Sequence, residues 1–111
     1  MWDGRRKESS LEASVVEWAK KHGVHYCIKL QGTGNKSLPD RLFFMPGGIP
    51  FLVEFKKLGE KPTKLQEFTH AELRAQGYDV EVHDTRQGAI AALKQRLDPA
   101  RLSAQGGEVS P

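Results

Sequence analysis

Residues 37–57, SLPDRLFFMPGGIPFLVEFKK, constrain the fold of this chain more than any other segment. Two apolar runs flank the turn-forming tripeptide PGG, so the segment is predicted to form a β-hairpin with strands near 40–45 and 50–56. Apolar residues on both faces before Glu54 are typical of a central, covered strand. Asp40, Glu54 and Lys56 nevertheless stand at the open end of this hairpin, where a covered strand rarely carries charge. The segment therefore predicts a core hairpin with a chemical site at its end.

The length of the turn decides whether the two acids face each other. Side chains alternate along a strand, so Glu54 and Lys56 share one face. A loop of odd length, such as residues 46–48, places Asp40 opposite Glu54, whereas an even loop requires a bulge to do so. Pro50 has no amide hydrogen, and some irregularity of the ladder is expected there.

Two converging carboxylates require a positive charge between them, because they repel and raise each other's pKa. Lys56 supplies one charge, and Mg²⁺, or Mn²⁺ in its place, would supply more. Mg²⁺ suits one or two carboxylates, a backbone carbonyl and waters, so the predicted ligands are Asp40, Glu54 and the Phe55 carbonyl. Such a cation can polarise a phosphodiester and help deprotonate an attacking water. Lys56 would hold that water or neutralise charge that develops on the phosphate.

Helices and strands are predicted on both sides of the hairpin. A helix is expected from Ser9 or Ser10 to about His22, and later helices at 63–76 and from Thr85 to about residue 97. Alternation predicts strands at 24–30 and 78–84. The residues expected to face inward are Leu11, Val15, Trp18, Ala19, Val24, Tyr26, Ile28, Leu30, Leu65, Phe68, Leu73, Ile90, Leu93 and Leu97. The order α-β-β-β-α-β-α predicts an α/β fold with a mixed sheet flanked by helices.

Length and composition limit the classes of protein. The 111 residues suit one domain at 9–98, with a basic lead-in at 1–8 and a disordered tail at 99–111. A net charge of +3 permits nucleic acid as a partner. The single cysteine excludes an internal disulfide, and the four histidines lack ligand spacing and are expected on the surface or on strands. Without an apolar run of membrane length or a signal peptide, a cytoplasmic protein with no membrane partner is expected.

The dipeptide PD at 39–40 followed by EFK at 54–56 resembles the PD-(D/E)XK nuclease signature. More narrowly, most of residues 11–84 resemble the virus-type replication-repair nuclease (VRR-NUC) family, through LEASVVEWAKKHG, IKLQGTGNKSLPDRLFF, PFLVEFKKLGEKPTKLQ and AQGYDVEVHD. The resemblance implies a restriction-endonuclease-like αβββαβ core, here with an extra C-terminal helix. It also implies a metal-dependent endonuclease of a phage or a bacterium that acts on DNA in replication or repair, including branched forms such as four-way junctions.

The resemblance assigns roles by position. Asp40 and Glu54 match the family's metal-binding acids, and Lys56 matches its catalytic lysine. Glu12 matches an acid on the first helix that borders the metal site. Gln66 matches the glutamine that opens the helix after the lysine strand.

Glu12 and Gln66 also have a purely structural interpretation. Each stands three residues after a potential helix cap, Ser9 for Glu12 and Thr63 for Gln66, which is the spacing of a capping box. Both interpretations stay open from the sequence alone.

Two residues before the PD pair depart from the family pattern. Ser37 replaces the usual glycine, and Leu38 replaces a small or β-branched residue. These changes are expected to alter the loop more than the chemistry.

Four lysines are candidates for contacts with the nucleic-acid backbone. Lys29 precedes the polar loop before the hairpin, and Lys57, Lys61 and Lys64 crowd the loop after it. They can follow a phosphate backbone, although a solvated surface has the same composition.

The sequence thus predicts a small nuclease, and its limited surface suggests a C2 homodimer. Three alternatives remain: a non-catalytic DNA-binding accessory protein, an RNase on the same scaffold, and a subunit that cuts only within a larger complex. Intact Asp40, Glu54 and Lys56 argue against the first.

Overall fold

The computed structural model describes residues 8–30 and 34–98. Its elements are α1 (Glu8–Lys21), β1 (Cys27–Lys29), β2 (Arg41–Met45), β3 (Ile49–Phe55), α2 (Lys64–Ala75), β4 (Asp79–His83) and α3 (Arg86–Arg96). This confirms the predicted order of helices and strands. Glu8, assigned to the lead-in, is the first residue of α1. The rest of the lead-in and the predicted tail at 99–111 lie outside the described residues.

The four strands form one mixed sheet in the order β1-β2-β3-β4. The pairs β1–β2 and β2–β3 are antiparallel, whereas β3 and β4 are parallel. Strand β3 therefore has a neighbour on each side, as its continuous apolar sequence predicts.

The hairpin turns through a loop of three residues, because Met45 pairs with Ile49. Gly47 and Gly48 both have left-handed φ angles, +92° and +77°, which glycine adopts without a steric cost. The expected irregularity at Pro50 is wrong, since Pro50 pairs in register with Phe44. Phe44 donates its amide hydrogen to the carbonyl of Tyr26, just before β1, so this pair does not need the hydrogen that Pro50 lacks.

The main core lies between one face of the sheet and the helices α1 and α3. Its buried apolar residues are Leu11, Val15, Val16, Ala19, Val24, Phe43, Met45, Phe51, Val53, Phe55, Ala89, Ala92 and Leu93. Trp18, Cys27 and Leu97 are partly buried against this cluster. The inward faces predicted for α1 and α3 are thus largely confirmed.

The inward face predicted for residues 24–30 is right at Val24, which is buried, and wrong at its middle positions. Tyr26 and Ile28 are exposed, whereas Cys27 pairs with the core residue Phe43 and packs against the core. Alternation separates two sets of side chains but does not tell which set meets the core. The strand is also shorter than predicted, because regular pairing with β2 is limited to three residues.

Two of the three residues predicted to face inward on α2 are exposed, whereas the third, Leu73, is partly buried. Leu65 and Phe68 are 63% and 61% exposed, whereas His70 is buried and Gln66 and Thr69 are partly buried. The inward face of the helix therefore carries three polar side chains beside Leu73. None of the helices in the described part of the chain combines the length and the apolar character needed to cross a bilayer.

Candidate active site

The hairpin register brings Asp40 and Glu54 to the same end of the sheet. The β2–β3 ladder ends at the pair Arg41–Val53, and Asp40 and Glu54 are the next residues on each side. The Asp40 carboxylate accepts the amide hydrogen of Phe55 at 2.7 Å, directly after Glu54. Both acids are buried, with 4% and 2% of their surface exposed. The odd loop required by this arrangement is the one observed.

The environment of Asp40 disfavours its charged form. Burial raises the pKa of Asp40 above the ordinary value of an aspartate, and the negative charge of Glu12 raises it further. The amide hydrogen of Phe55 and the charges of Lys56 and Lys29 act in the opposite direction without cancelling the rise. Such a carboxylate gains more than an exposed one from an added positive charge.

Lys56, the residue directly after β3, has its ammonium group beside Glu54. Its ammonium nitrogen Nζ is 3.3 Å from Glu54 Oε2, and only 8% of the residue is exposed. The backbone N–H of Lys56 donates to the carbonyl of His83 on the parallel neighbour β4. Strand pairing thus continues to the residue that carries the ammonium group, which restricts where that group can move.

Gln66 fits both interpretations that the sequence left open. Its Nε2 donates to Glu54 Oε2 at 3.2 Å, so its side chain reaches the acid pair. Its Oε1 accepts the backbone N–H of Thr63, while Thr63 Oγ1 accepts the N–H of Gln66, which completes a capping box. One amide group therefore closes the start of α2 and contacts the site.

Glu12 is next to the site but has a partner of its own. Ser9 lies inside α1, which begins at Glu8, so Ser9 is not at the cap position that the alternative for Glu12 requires. Glu12 instead accepts a hydrogen bond from the guanidinium of Arg41, across from α1 to β2. The charge of Glu12 still influences the pKa of Asp40. Arg41 thus connects Glu12 to the strand that follows Asp40.

Sequence reasoning missed the roles of Arg41 and His70. Arg41 is the one charged residue of the apolar strand β2, and a charge in that position could have indicated that Arg41 has a partner near the site. His70 is buried one helical turn after Gln66, on the same face of α2, contrary to the surface or strand position expected of the histidines. Burial lowers the pKa of His70, and the charges of Arg74 and Lys56 lower it further.

The four candidate phosphate-binding lysines lie on the surface. Lys29 ends β1, and its charge reaches Asp40, as its effect on that pKa indicates. Lys57 and Lys61 are exposed in the connection between β3 and α2, and Lys64 is exposed at the start of α2. The three therefore lie on the segment that joins Lys56 to Gln66.

The donor set at this end of the sheet fits a hard divalent cation. Within 8–30 and 34–98, no three His, Cys, Asp or Glu side chains are grouped closely enough to hold a metal by themselves. Mg²⁺, however, keeps several waters and is commonly held by one or two carboxylates. Asp40 and Glu54 supply two buried carboxylates, and the carbonyl of Phe55 lies between Glu54 and Lys56 in the chain.

Comparisons with known proteins give a consistent result. No family model matches the chain. The chain is 40% identical over 81 residues to "Putative nuclease p44" of Acyrthosiphon pisum secondary endosymbiont phage 1, a match that covers 72% of this chain and 85% of that protein. A solved structure described as "VRR_NUC domain" is similar with a TM-score of 0.63 and 26% identity, over 76% of this chain and 95% of that one.

A second solved structure, described as "VRR_NUC domain protein", shares the fold. Its TM-score is 0.74 at 19% identity, and the match covers 88% of this chain and 91% of that chain. The similarity thus extends over nearly the whole of both folds.

Proposed function

The chain belongs to the virus-type replication-repair nuclease (VRR-NUC) family, and from this premise we propose that it is a metal-dependent endonuclease that hydrolyses phosphodiester bonds in DNA. One observation carries the proposal. Two buried carboxylates, Asp40 and Glu54, lie at the end of the central strands with the Lys56 ammonium 3.3 Å from one of them. Placing two acids and a lysine in this position is costly unless a cation and an anionic substrate use them.

Asp40, Glu54 and the Phe55 carbonyl would hold Mg²⁺, or Mn²⁺ in its place. When bound, the ion supplies a Lewis acid that polarises the phosphate and makes a water more acidic. Asp40 is kept in position by the Phe55 amide hydrogen, and Glu54 by Lys56 and Gln66. These contacts fix both carboxylates before any substrate arrives.

Lys56 acts on the attacking water and on the charge of the phosphate. Its ammonium group is a donor that can orient a water or stabilise an oxygen that gains negative charge. Gln66 orients Glu54, and Glu12, through its bond with Arg41, borders Asp40. Glu12 is thus assigned to support of the site, with its carboxylate available as an outer metal ligand.

DNA is the proposed substrate, with branched forms such as four-way junctions as the preferred structures. The phosphate backbone would contact four exposed lysines: Lys29, whose charge acts on Asp40, and Lys57, Lys61 and Lys64, on the segment between Lys56 and Gln66. The proposed context is DNA replication or repair in the cytoplasm of a bacterium or a phage-infected cell. The phage origin of the relative at 40% identity supports this assignment.

A homodimer is proposed because one small domain offers little surface to grip a branched substrate. A C2 pair would present two sites related by the symmetry of a four-way junction. Analytical ultracentrifugation at the concentration of the cleavage assay is expected to show a dimer. A monomer alone at that concentration would contradict this part of the proposal.

Cleavage of a labelled panel tests the function. Linear duplex, single strand, flap and four-way junction, together with a matched RNA hairpin, are incubated with Mg²⁺ or Mn²⁺. The wild-type protein is expected to cut DNA. Addition of EDTA is expected to abolish cutting, and so is either of the substitutions Asp40→Asn and Lys56→Ala. Lys94→Ala removes the same charge from the exposed side of α3 and is expected to keep wild-type activity.

The other outcomes identify the alternatives. Binding of DNA without cutting under either metal would support an accessory protein or a subunit of a larger complex. Preferred cutting of the RNA hairpin would support an RNase. Cutting that survives Asp40→Asn and Lys56→Ala would show that this end of the sheet is not the active site.

A further inference from the structure

Helix α2 turns three polar side chains toward the rest of the molecule, with Leu73 partly buried beside them. Gln66, Thr69 and His70 are on its inward face, while Leu65 and Phe68 point outward and are mostly exposed. A helix that covers a sheet ordinarily buries its apolar stripe. The polar inward face therefore calls for an explanation other than core packing.

Thr69 connects α2 to the loop that leads into Asp40. Its Oγ1 donates to Ser37 Oγ at 2.8 Å, and Ser37 Oγ donates to Asn35 Oδ1 at 2.6 Å. The backbone N–H of Ser37 donates to the same Asn35 oxygen at 2.9 Å. Ser37 is 5% exposed, so water does not compete freely for these hydrogen bonds. We call Asn35, Ser37 and Thr69 the clasp.

The clasp connects the two halves of the acid pair. Ser37 is three residues before Asp40, whose carboxylate bonds the Phe55 amide hydrogen. Thr69 is three residues after Gln66, whose amide bonds Glu54. A shift of the loop relative to α2 therefore changes the position of Asp40 relative to Glu54.

We propose that Ser37 and Thr69 are positioning residues that set the spacing of the Asp40 and Glu54 carboxylates through the clasp. The inference rests on the proposed function, because its consequence is tighter binding of a divalent cation by this pair. It also gives a role to Ser37, one of the two residues that depart from the family pattern. A glycine at position 37 has no hydroxyl to receive the Thr69 hydrogen.

Removal of single hydroxyl groups tests the clasp. Thr69→Val keeps the shape of the side chain, Ser37→Ala removes the other hydroxyl, and Thr69→Ser restores a donor. The probe is Mn²⁺ alone, titrated without DNA and followed by electron paramagnetic resonance. Thr69→Val and Ser37→Ala are each expected to weaken Mn²⁺ binding about 3- to 10-fold, as expected for one lost hydrogen bond. The double variant should be no weaker than the singles, and Thr69→Ser should stay within about 2-fold of wild type.

Hydrogen exchange gives a second measurement that does not depend on metal. The amide hydrogen of Phe55 is held by the Asp40 carboxylate, so Thr69→Val is expected to speed its exchange. Exchange in α3 should be unchanged.

Thr85→Val is the matched control. It removes a threonine hydroxyl that accepts the Gly88 amide hydrogen at the start of α3 and is not one of the clasp residues. It is expected to lower thermal stability and to leave Mn²⁺ affinity at the wild-type value. Equal weakening of Mn²⁺ binding by Thr85→Val and Thr69→Val would overturn the positioning role.

The outcomes separate the clasp from the proposed function. Wild-type Mn²⁺ affinity and unchanged Phe55 exchange in Thr69→Val would overturn the clasp and leave the nuclease proposal standing. A wild-type protein that binds no Mn²⁺ and cuts no DNA, while Thr69→Val still speeds Phe55 exchange, would reject the metal-dependent function and keep the clasp.

Discussion

The Asp40 carboxyl group occupies a place that favours its neutral form. Burial raises its pKa, so the folded state holds this proton more tightly than the unfolded state does. The stabilisation from Asp40 is therefore fully present below its unfolded pKa and is lost as the pH rises through the raised, folded pKa. At neutral pH the ionised Asp40 makes the folded protein less stable than a neutral side chain would.

We expect Asp40→Asn to stabilise the metal-free protein at pH 7 and to abolish cleavage. The amide oxygen of the new side chain can still accept the Phe55 hydrogen, so that contact is kept. Loss of this proposed metal ligand is expected to lower the rate more than about 100-fold. Thermal unfolding between pH 4 and 8, with and without Mn²⁺, measures the effect on stability.

The pH dependence provides the control for this prediction. The gain in stability from Asp40→Asn should be smallest at pH 4 and should grow as the pH rises. Addition of Mn²⁺ should raise the melting temperature of wild type and leave the variant unchanged. A variant that is less stable than wild type at pH 7 without metal would contradict the assigned effect of burial.

At the scale of elements, α3 and β4 are held together by one buried cation. Arg96 donates to both oxygens of Asp79 at 2.6 and 2.9 Å, to Glu81 at 2.7 Å, and to the carbonyl of Ala92 in its own helix. Its guanidinium carbon also lies 3.9 Å from the centre of the Phe51 ring. This arrangement satisfies a charge that would otherwise be costly to bury.

We expect Arg96→Leu to lower the free energy of unfolding by about 2–3 kcal/mol. Removal of one partner from a fully buried ion pair costs roughly 3–5 kcal/mol, and the loss is smaller here because Asp79 and Glu81 are partly exposed. The loss comes from the carboxylates of Asp79 and Glu81 that remain without the guanidinium. Urea denaturation at pH 7 measures it. Arg86→Leu, which removes an exposed arginine that donates a hydrogen bond to Ser14, should change stability by less than about 1 kcal/mol.

Acid should reduce the difference between wild type and Arg96→Leu. Burial raises the pKa of Glu81, but the hydrogen bonds and charges of His83 and Arg96 outweigh it and leave the pKa below the ordinary value. The stabilisation is thus present above the unfolded pKa of Glu81 and is lost as the pH falls through the lowered one. A difference that stays constant down to pH 3 would argue against the ion pair as its source.

The sequence predicted the hairpin better than it predicted α2, for a physical reason. In the hairpin, the PGG turn and the need for two acids on one face indicate the same odd loop, and Met45 pairs with Ile49 as that loop requires. In α2, the apolar positions Leu65 and Phe68 and the polar positions Gln66 and Thr69 both follow helical spacing. The hydrophobic pattern selected the wrong positions at Leu65 and Phe68, because Gln66 and Thr69 on the inward face bond Glu54 and Ser37.

Side-chain partners across the fold were not predictable from one sequence. The bond between Arg41 and Glu12 joins residues far apart in the chain, and no local pattern relates them. Ser37 departs from the family pattern, but its hydrogen bond with Thr69 can be predicted only when the position of α2 over the sheet is known. Asp40, Glu54 and Lys56 could be predicted together because they lie on one hairpin. The side chains that contact or border them come from α1, α2 and the loop before β2, which no local pattern relates.

At the scale of the whole molecule, the net charge of +3 is small, so the placement of lysines has more effect on DNA affinity than their number. Lys57, Lys61 and Lys64 are exposed on the segment between Lys56 and Gln66, which both contact Glu54. Each lysine that neutralises a duplex phosphate contributes about 0.9 to the slope of log affinity against log salt concentration. These three lysines should therefore dominate the salt dependence of binding.

Replacement of Lys57, Lys61 and Lys64 by alanine is expected to reduce that slope by about 2–3 and to weaken binding equally for unrelated duplex sequences. Binding is measured by fluorescence anisotropy in the Asp40→Asn background, so that no substrate is cut. The control replaces Lys20, Lys21 and Lys94, exposed lysines of α1 and α3. Both triple variants remove three positive charges, from +3 to 0, so net charge alone predicts equal losses. Equal slopes in the two variants would place the DNA elsewhere on the surface. A reduced slope only in the variant that lacks Lys57, Lys61 and Lys64 would orient the DNA backbone along the β3–α2 connection and toward Lys56.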